Sequence, residues 1–277
     1  MPCFLHGIYI GGNMARIVPI CSSSTTGNSV YFGSAEQGIL IDMGCSFKAL
    51  KTGLELNGLS LDCIKAVCVT HEHSDHIKGL KMLTKHTNIP IYATNGTLNA
   101  IVNQQAVVST ANLHEVSELS SAPIDMEIES FATPHDSAES CGYTMKLEGR
   151  KLALCTDLGN VTDTVRESLK GSDYVLLEAN YDEEMLRLNP KYPYYLKKRI
   201  SSGYGHLSNV KTAQFMKELV EQGTRHITLG HLSLNNNTPQ MAKETITKSL
   251  EQCGIRENCD YVLDVAEPLN SGKYIAI

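Results

Sequence analysis

The chain has 277 residues, of which 42% are hydrophobic and 19% charged, and its formal net charge at pH 7 is −6. This composition is typical of a globular protein, and no apolar run approaches the ~20 residues that a membrane-spanning helix requires. The acidic balance argues against a surface coated with basic residues for nucleic acid. Any phosphate binding must therefore come from a local site.

The N-terminal residues 1–13 precede a second methionine, Met14, which looks like a more natural start. We predict that residues 1–13 are an upstream extension or an artefact, and that residues 14–277 form a single domain. Residues 1–7 lack the basic region and long apolar stretch of a secretory signal. Nine cysteines are scattered singly without a C-x-x-C pair, which favours free thiols and a cytoplasmic location.

Short β-like runs alternate with helical stretches along the chain. Apolar and β-branched residues between turn residues predict strands at about 15–20, 29–33, 38–42, 65–69, 89–93, 126–131, 141–147, 151–155, 173–178, 226–229 and 260–264. Helices are predicted near 46–57, 75–86, 95–104, 161–170, 206–222 and 238–252, the last two with Ser208 and Thr238 as capping residues. We predict an α/β protein with a four-layer αββα sandwich, in which two sheets pack face to face between helices.

Three histidines and an aspartate stand within six residues, directly after the apolar run 66–69. They are His71, His73, Asp75 and His76. Imidazole suits zinc, manganese or iron, and the His-x-His pair can close on one ion while Asp75 and His76 turn towards a second. The alternative is a polar helix start capped by Ser74 or Asp75. The density of metal-binding groups favours a two-metal site.

Three further polar residues follow predicted strands, where loops can converge on one edge of a sandwich. They are His135, Asp157 and His231. A single histidine after a strand is more often a loop or core residue than a metal ligand. Behind the first motif, however, the three positions reinforce one another.

In this order of residues the chain resembles the metallo-β-lactamase superfamily, and the resemblance covers nearly the whole length from Met14. It implies the metallo-β-lactamase fold with a first metal held by His71, His73 and His135, and a second by Asp75, His76 and His231. Asp157 would bridge both ions. Asp42 matches an early aspartate that usually lies close behind the ligands, although it could equally be a turn residue before Gly44.

Within the superfamily the chain resembles the YycJ/VicX (WalJ) group of bacterial proteins. The supporting segments are residues 22–29, 70–76, 133–137, 178–182, 192–193, 196–200, 205–209, 230–233 and 235–237. Aspartate at position 157, where the dominant β-lactamases have cysteine, disfavours antibiotic hydrolysis. His73, where di-iron members usually have glutamate, disfavours a redox role. The resemblance implies a phosphodiesterase that hydrolyses nucleic acid, as a 5′-to-3′ exodeoxyribonuclease acting on DNA rather than RNA.

The predicted chemistry rests on two divalent ions, which could be zinc or manganese, with iron as an option. Together with Asp75, Asp157 and a bridging hydroxide they would leave a positive pocket inside an acidic protein, and such a pocket selects an anion. The hydroxide would attack phosphorus in line while both ions stabilise the developing charge. Asp75 is therefore a candidate catalytic residue as well as a ligand.

A second set of candidates surrounds the start of the predicted helix 206–222. His206, Ser208 and Asn209 offer an imidazole, a hydroxyl and backbone N–H groups that can hold a phosphate. His206 could protonate the leaving oxygen, or it could be a structural residue at the helix start.

The basic residues Lys197, Lys198 and Arg199 alternate with tyrosines in residues 191–204. Such a patch can stack bases and follow a single strand. The alternatives are that the tyrosines pack a helix against the core and that the basic run is a solvated face.

Two other classes of function stay open. A small-molecule hydrolase, either a cyclic-nucleotide-type phosphodiesterase or a glyoxalase II-like thioesterase, would use the same metal ligands without binding nucleic acid. A regulatory interaction protein would keep the metal pair as a structural feature only. The sequence also leaves the oligomeric state open, with a homodimer as one option.

Overall fold

The computed structural model describes residues 15–277. The predicted extension 1–13 and the start at Met14 therefore lie outside the described residues. The strands are β1 (Arg16–Ser23), β2 (Gly27–Gly33), β3 (Gly38–Ile41), β4 (Ile64–Cys68), β5 (Ile91–Ala93), β6 (Leu113–Glu115), β7 (Glu127–Ala132), β8 (Cys141–Leu147), β9 (Arg150–Cys155), β10 (Tyr174–Glu178), β11 (His226–Gly230), β12 (Val262–Val265) and β13 (Ile275–Ala276).

The helices alternate with these strands. They are α1 (Phe47–Leu56), α2 (Ser74–Ile77), α3 (Leu80–His86), α4 (Asn95–Asn103), α5 (Asp163–Leu169), α6 (Glu183–Leu188), α7 (Tyr194–Ile200), α8 (Asn209–Glu221) and α9 (Pro239–Gln252), with short 3₁₀ helices at Leu61–Cys63 and Val116–Ser121. Among residues 15–277, no helix has both the length and the apolar character needed to cross a membrane.

The strands form two mixed sheets. The first has the order β13-β1-β2-β3-β4-β5-β6, and the second has the order β12-β11-β10-β9-β8-β7. Strands β3 to β6 are parallel in the first sheet, and β9 to β12 are parallel in the second. Because β7 and β9 are both antiparallel to β8, β7 runs in the same direction as β9. The carboxyl ends of these strands therefore lie at one edge of each sheet.

Three clusters of buried apolar side chains hold the layers together. The middle cluster lies between the two sheets and includes Phe32, Ile39, Tyr143, Leu154 and Tyr174. One outer cluster packs α1, α3 and α4 on the first sheet, and the other packs α5, α8 and α9 on the second. Full burial of each large apolar side chain contributes about 1.5–3 kcal/mol. The predicted αββα sandwich is confirmed.

Capping residues set the starts of the last two helices as predicted. The hydroxyl of Ser208 accepts a hydrogen bond from the Lys211 N–H at 3.3 Å, and that of Thr238 accepts from the Met241 N–H at 3.1 Å. Each bond satisfies one of the N–H groups that a helix start leaves without an internal partner. Helix α8 consequently begins at Asn209, three residues later than the predicted segment 206–222.

The predicted helix 75–86 was wrong in its continuity, because it is split into α2 and α3 at Gly79. The Gly79 N–H donates to the Met43 carbonyl at 2.8 Å, and a Cβ on Gly79 would lie 2.1 Å from the carbonyl oxygen of Cys45. The close approach of residues 43–45 therefore interrupts the helix. Sequence periodicity also missed the edge strands β6 and β13 and the helix α7, in which no residue is buried.

Candidate active site

Polar side chains from both sheets converge where parallel strands end. His71 follows β4, while His135, Asp157 and His231 follow β7, β9 and β11. The two sheets are tied at this edge, because the Cys141 N–H donates to the Thr70 carbonyl at 3.1 Å. Residues that stand far apart in the sequence thus share one buried cluster.

The first predicted ligand set comes together as a group. Ligand atoms of His71, His73 and His135 all lie within 4.8 Å of one another, and Nε2 of His135 is 3.2 Å from Nδ1 of His73. The other ring nitrogen of His135 lies 3.0 Å from the Gly205 carbonyl oxygen and can donate to it. This bond fixes the ring so that Nε2 faces the group.

The second predicted set also comes together. Oδ2 of Asp75 lies 3.5 Å from Nε2 of His76 and 3.3 Å from Nε2 of His231. Asp157 stands between the two sets. Its Oδ2 is 3.1 Å from Nε2 of His76, while its Oδ1 is 3.5 Å from Nε2 of His135 and 3.6 Å from Nε2 of His231.

Two buried atoms at the centre of this cluster have no partner in hydrogen-bonding geometry, although one of them lies 3.1 Å from Nε2 of His76. They are Nε2 of His71 and Oδ2 of Asp157, and both side chains are almost fully buried. Leaving a buried polar atom without a partner costs roughly 1–3 kcal/mol. Imidazole nitrogen and carboxylate oxygen are ligands of divalent cations such as zinc and manganese. The donor set therefore fits a divalent metal.

Asp42 lies directly behind His76. Its Oδ2 is 2.8 Å from Nδ1 of His76, and its Oδ1 accepts a hydrogen bond from the Thr70 N–H at 2.8 Å. Burial raises the pKa of Asp42, and the contact with His76 opposes that rise without cancelling it. This is the position expected from the resemblance, and such partners fix the tautomer and orientation of a ligand histidine.

Glu178, at the end of β10, organises the other side of the cluster. Its Oε1 lies 2.8 Å from Nδ1 of His206 and 2.8 Å from Nδ1 of His231. Its Oε2 accepts hydrogen bonds from the N–H groups of Leu158 and Leu207 at 3.0 and 2.9 Å. Burial raises the pKa of Glu178, but His206 outweighs it and brings the pKa down to about 2. Glu178 is therefore ionised at neutral pH.

Asn28 is a contact that the sequence did not single out. Its Nδ2 is 3.4 Å from Oδ2 of Asp75 and 3.1 Å from Nε2 of His76. Ser22 is a second such contact, because its Oγ accepts from the His231 N–H at 2.9 Å. Both lie in segment 22–29, which is rich in serine and is one of the segments that support the family resemblance. That segment was the feature of the sequence that could have pointed to Asn28 and Ser22 as site residues.

Three site residues adopt a left-handed backbone conformation. The φ angles of Asp42, Asp157 and His231 are 61°, 55° and 57°. Such conformations cost of order 1–3 kcal/mol each and persist only where surrounding contacts hold them. Each of the three follows a strand end, so the unusual φ turns the side chain into the cluster.

Opposite charges inside the cluster shift the pKa values of its acidic and basic groups in opposite directions. Burial raises the pKa of Asp157, but His231 and His76 outweigh it and hold the pKa far below its usual value. Burial lowers the pKa of His231, but Asp157 and Asp75 raise it to about 10. For His71 burial dominates and holds the pKa well below normal. Asp157 is thus ionised at neutral pH, as cation binding requires, whereas His231 would have to release its proton to bind a metal ion.

The predicted substrate-binding residues occupy two different environments. Ser208 is buried as the cap of α8 and donates to Oε1 of Glu183 at 2.8 Å, while Asn209 exchanges side-chain hydrogen bonds with Asn237 at 2.8 and 3.0 Å. Both have structural partners, and their contact with a substrate stays a prediction.

The basic run lies on α7, which exposes its residues to solvent. Arg199 pairs with Asp136, and the Lys197 ammonium donates to the Arg187 carbonyl at 2.7 Å. Lys198 is exposed. Tyr194 and Tyr195 are 73% and 74% exposed, so these tyrosines do not pack the helix against the core.

Comparisons with known proteins identify the family of the chain. A model of the beta-lactamase superfamily domain matches residues 38–231. Exodeoxyribonuclease YycJ of Bacillus anthracis is 38% identical over 237 residues, which cover 85% of this chain and 89% of that protein. Exodeoxyribonuclease WalJ of Streptococcus pneumoniae serotype 2 (strain D39) is 34% identical over 260 residues, covering 90% of this chain and 96% of that protein.

Solved structures share the fold. Unliganded yeast PDE1 superposes with a TM-score of 0.70 at 14% identity, over 96% of this chain and 100% of that one. The fold implies the use of a divalent metal, and the clustered histidines and aspartates supply groups that could hold it. The chain belongs to the metallo-β-lactamase superfamily of hydrolases, in the group of the YycJ and WalJ proteins.

Proposed function

We propose that the protein is a two-metal phosphodiesterase that degrades DNA in preference to RNA, as a 5′-to-3′ exodeoxyribonuclease. The observation that carries the proposal is the convergence of seven histidine and aspartate side chains around buried atoms that have no hydrogen-bond partner. Two relatives at 38% and 34% identity are named exodeoxyribonucleases, which supports DNA as the substrate. The direction of degradation rests on the family resemblance.

In this proposal His71, His73 and His135 hold one divalent ion, while Asp75, His76 and His231 hold a second. Asp157 reaches both groups, which supports its role as a bridge. Zinc and manganese are the proposed ions, with iron as an option. When bound, the ions would lower the pKa of water and neutralise charge on the phosphate.

The side chains of this protein have their own roles in the reaction. Asp42 orients His76, and Asp75 supplies negative charge beside His76 and His231. The ionised Glu178 accepts a hydrogen bond from Nδ1 of His206, which fixes the orientation of the ring. Nε2 of His206 has no protein hydrogen-bond partner among the described residues, and the side chain is 19% exposed. Nε2 of His206 is therefore accessible to a substrate, and in the proposed reaction His206 is the proton donor to the leaving oxygen.

We also propose a cytoplasmic location. Six of the eight cysteines in the described part of the chain are buried free thiols, which suits a reducing compartment. Residues 14–277 are proposed to act as one domain, and a homodimer stays an option that measurement of the molecular mass in solution would test.

The test of function is degradation of single- and double-stranded DNA that is labelled at the 5′ or the 3′ end. Protein reconstituted with manganese or zinc should remove nucleotides stepwise from the 5′ end, and Asp75→Ala should not. Matched RNA substrates should be degraded more slowly.

Two results would contradict the proposal. Internal cleavage or loss from the 3′ end would reject the polarity. Absence of DNA cleavage by the metal-loaded protein, together with turnover of bis(p-nitrophenyl) phosphate or S-lactoylglutathione, would identify a small-molecule hydrolase instead.

A further inference from the structure

The α6–α7 segment, defined as residues 181–205, has features that the proposed reaction does not use. Helix α7 has no buried residue, and Tyr194, Tyr195 and Tyr204 are 73%, 74% and 64% exposed. Exposed aromatic side chains in such number are costly in water and indicate an interaction surface. Of these three tyrosines, only Tyr194 lines the cavity described next.

Tyr194 lines a cavity of about 520 Å³ between α6, α7 and the start of α8. Known ligand sites measure roughly 300–1,000 Å³. The remaining lining residues include four basic side chains and one acidic one, namely Arg187, Lys197, Lys198, Lys211 and Glu183. In a chain with a net charge of −6, this local excess of positive charge favours an anionic ligand.

Two of the basic groups are available to such a ligand. Arg187 is paired with Glu184, and the Lys197 ammonium donates to a backbone carbonyl. In contrast, neither Lys198 nor Lys211 has a carboxylate partner within 4.0 Å anywhere in residues 15–277. The Lys198 ammonium lies 5.6 Å from the centre of the Tyr194 ring. An aromatic ring and two ammonium groups without a carboxylate partner among the described residues thus share one cavity.

The end of helix α7, which carries Tyr194 and Lys198, is linked to the candidate active site by hydrogen bonds. Arg199 pairs with Asp136, the Asp136 N–H donates to the Tyr204 carbonyl at 3.0 Å, and Nδ1 of His135 lies 3.0 Å from the Gly205 carbonyl. At 1.5 Å per residue, Tyr194 lies about 7.5 Å along the helix axis from Arg199. A stacked strand advances about 3.4 Å per nucleotide, so about two nucleotides span this distance.

We propose that this cavity binds the unpaired strand of a DNA substrate, about two nucleotides beyond the Arg199–Asp136 pair. A base stacks on Tyr194, and backbone phosphates contact Lys198 and Lys211. A single strand fits better than a duplex, because only an unpaired base offers a free face to an aromatic ring. The inference rests on the proposed function, since it takes DNA as the substrate.

The test is equilibrium binding of a fluorescent phosphorothioate oligothymidylate of about twelve nucleotides to the manganese-loaded protein. Tyr194→Ala should raise the Kd about tenfold, because stacking on an aromatic side chain contributes about 1–3 kcal/mol per base. Tyr195→Ala is the matched control, because Tyr195 is equally exposed on the same helix but does not line the cavity. It should leave the Kd unchanged.

The salt dependence of binding tests the phosphate contacts separately. Lys198→Ala should lower the slope of log Kd against log salt concentration by about 0.7, the value for one phosphate contact in a single strand. Lys248→Ala, an exposed lysine on α9, should leave that slope unchanged. Equal effects of Tyr194→Ala and Tyr195→Ala, or an unchanged slope for Lys198→Ala, would overturn the proposal.

Failure of this inference can be distinguished from failure of the proposed function. If the wild type degrades DNA but Tyr194→Ala binds the oligonucleotide normally, the cavity is not the strand site and the nuclease proposal stands. If binding depends on Tyr194 but no DNA is cleaved, the strand site stands and the nuclease proposal fails.

Discussion

The buried centre of the candidate site and the α6–α7 segment differ in how firmly the fold holds their side chains. His71 and Asp157 are almost fully buried, and neighbouring backbone and side chains fix every contact of Glu178. Tyr194 and Lys198 project from a helix with no buried residue. The buried centre is pre-organised, which favours chemistry that depends on geometry, whereas the exposed segment can adjust to a long substrate. Substitutions in the two regions should therefore have different kinds of effect.

The largest effect is expected at Asp157, because its carboxylate lies close to histidines of both groups. Asp157→Ala should lower kcat for DNA at least about a thousandfold, since the loss of metal-based charge stabilisation is worth several kcal/mol. It should also lower the metal content. Asp157→Asn keeps a residue type that tolerates positive φ, so it separates the loss of charge from the backbone effect.

The measurement is metal content by mass spectrometry together with kcat, for Asp157→Ala and His206→Ala side by side. The roles assigned here require metal loss in the first variant only. Equal loss of metal in both would overturn that assignment.

A second test examines how tightly the buried centre is packed. A Cβ on Gly44 would lie 1.7 Å from the Asp75 carbonyl oxygen and 2.6 Å from the Asn28 nitrogen. Gly44→Ala should therefore lower the free energy of unfolding by about 3 kcal/mol and displace Asp75. Gly203→Ala is the control, since a Cβ there meets no atom within 4 Å. Equal urea denaturation curves for the two variants would contradict this prediction and show that the buried centre accommodates the added methyl group without loss of stability.

A third test concerns His206, which lies between the two regions. His206→Ala should lower kcat for DNA about a hundredfold, because general acid catalysis contributes about 10²–10⁴. The loss should be smaller for a p-nitrophenyl ester, because p-nitrophenolate leaves without a proton. His226→Ala is the control. His226 begins β11, at the end of that strand away from His231, so this variant should keep normal kcat. An equal loss on both substrates would contradict proton donation by His206.

The sequence predicted the buried centre better than the exposed segment, for a physical reason. Apolar runs end at the polar residues His71, Asp157 and His231, and parallel strands bring their carboxyl ends to one edge. The order of apolar runs and polar residues in the sequence therefore predicts which side chains lie close together in the fold. The two helix caps were predictable for a similar reason, because a capping bond links residues only three positions apart.

Features that depend on contacts between distant segments were not predictable. The break at Gly79 depends on residues 43–45 lying against it, and the positive φ of Asp157 depends on the packing around a strand end. Glu178 lies in the supporting segment 178–182, but its role could not be deduced from the sequence because its partner His206 lies 28 positions away. The exposure of Tyr194 could not be deduced either, since tyrosines at helical spacing also fit a packed helix.

The smallest effect is expected where the two regions meet, at the ion pair of Arg199 and Asp136. The two side chains are 56% and 31% exposed, and pairs in such positions typically contribute less than about 1 kcal/mol to stability. Arg199→Ala should thus leave the urea midpoint almost unchanged, as should the control Lys146→Ala, which removes an exposed pair with Glu127. Because Asp136 follows His135, Arg199→Ala should still raise KM for DNA roughly threefold, about 0.7 kcal/mol. If Arg199→Ala lowered the free energy of unfolding by more than about 2 kcal/mol, the Arg199–Asp136 pair would instead belong to the firmly held buried centre.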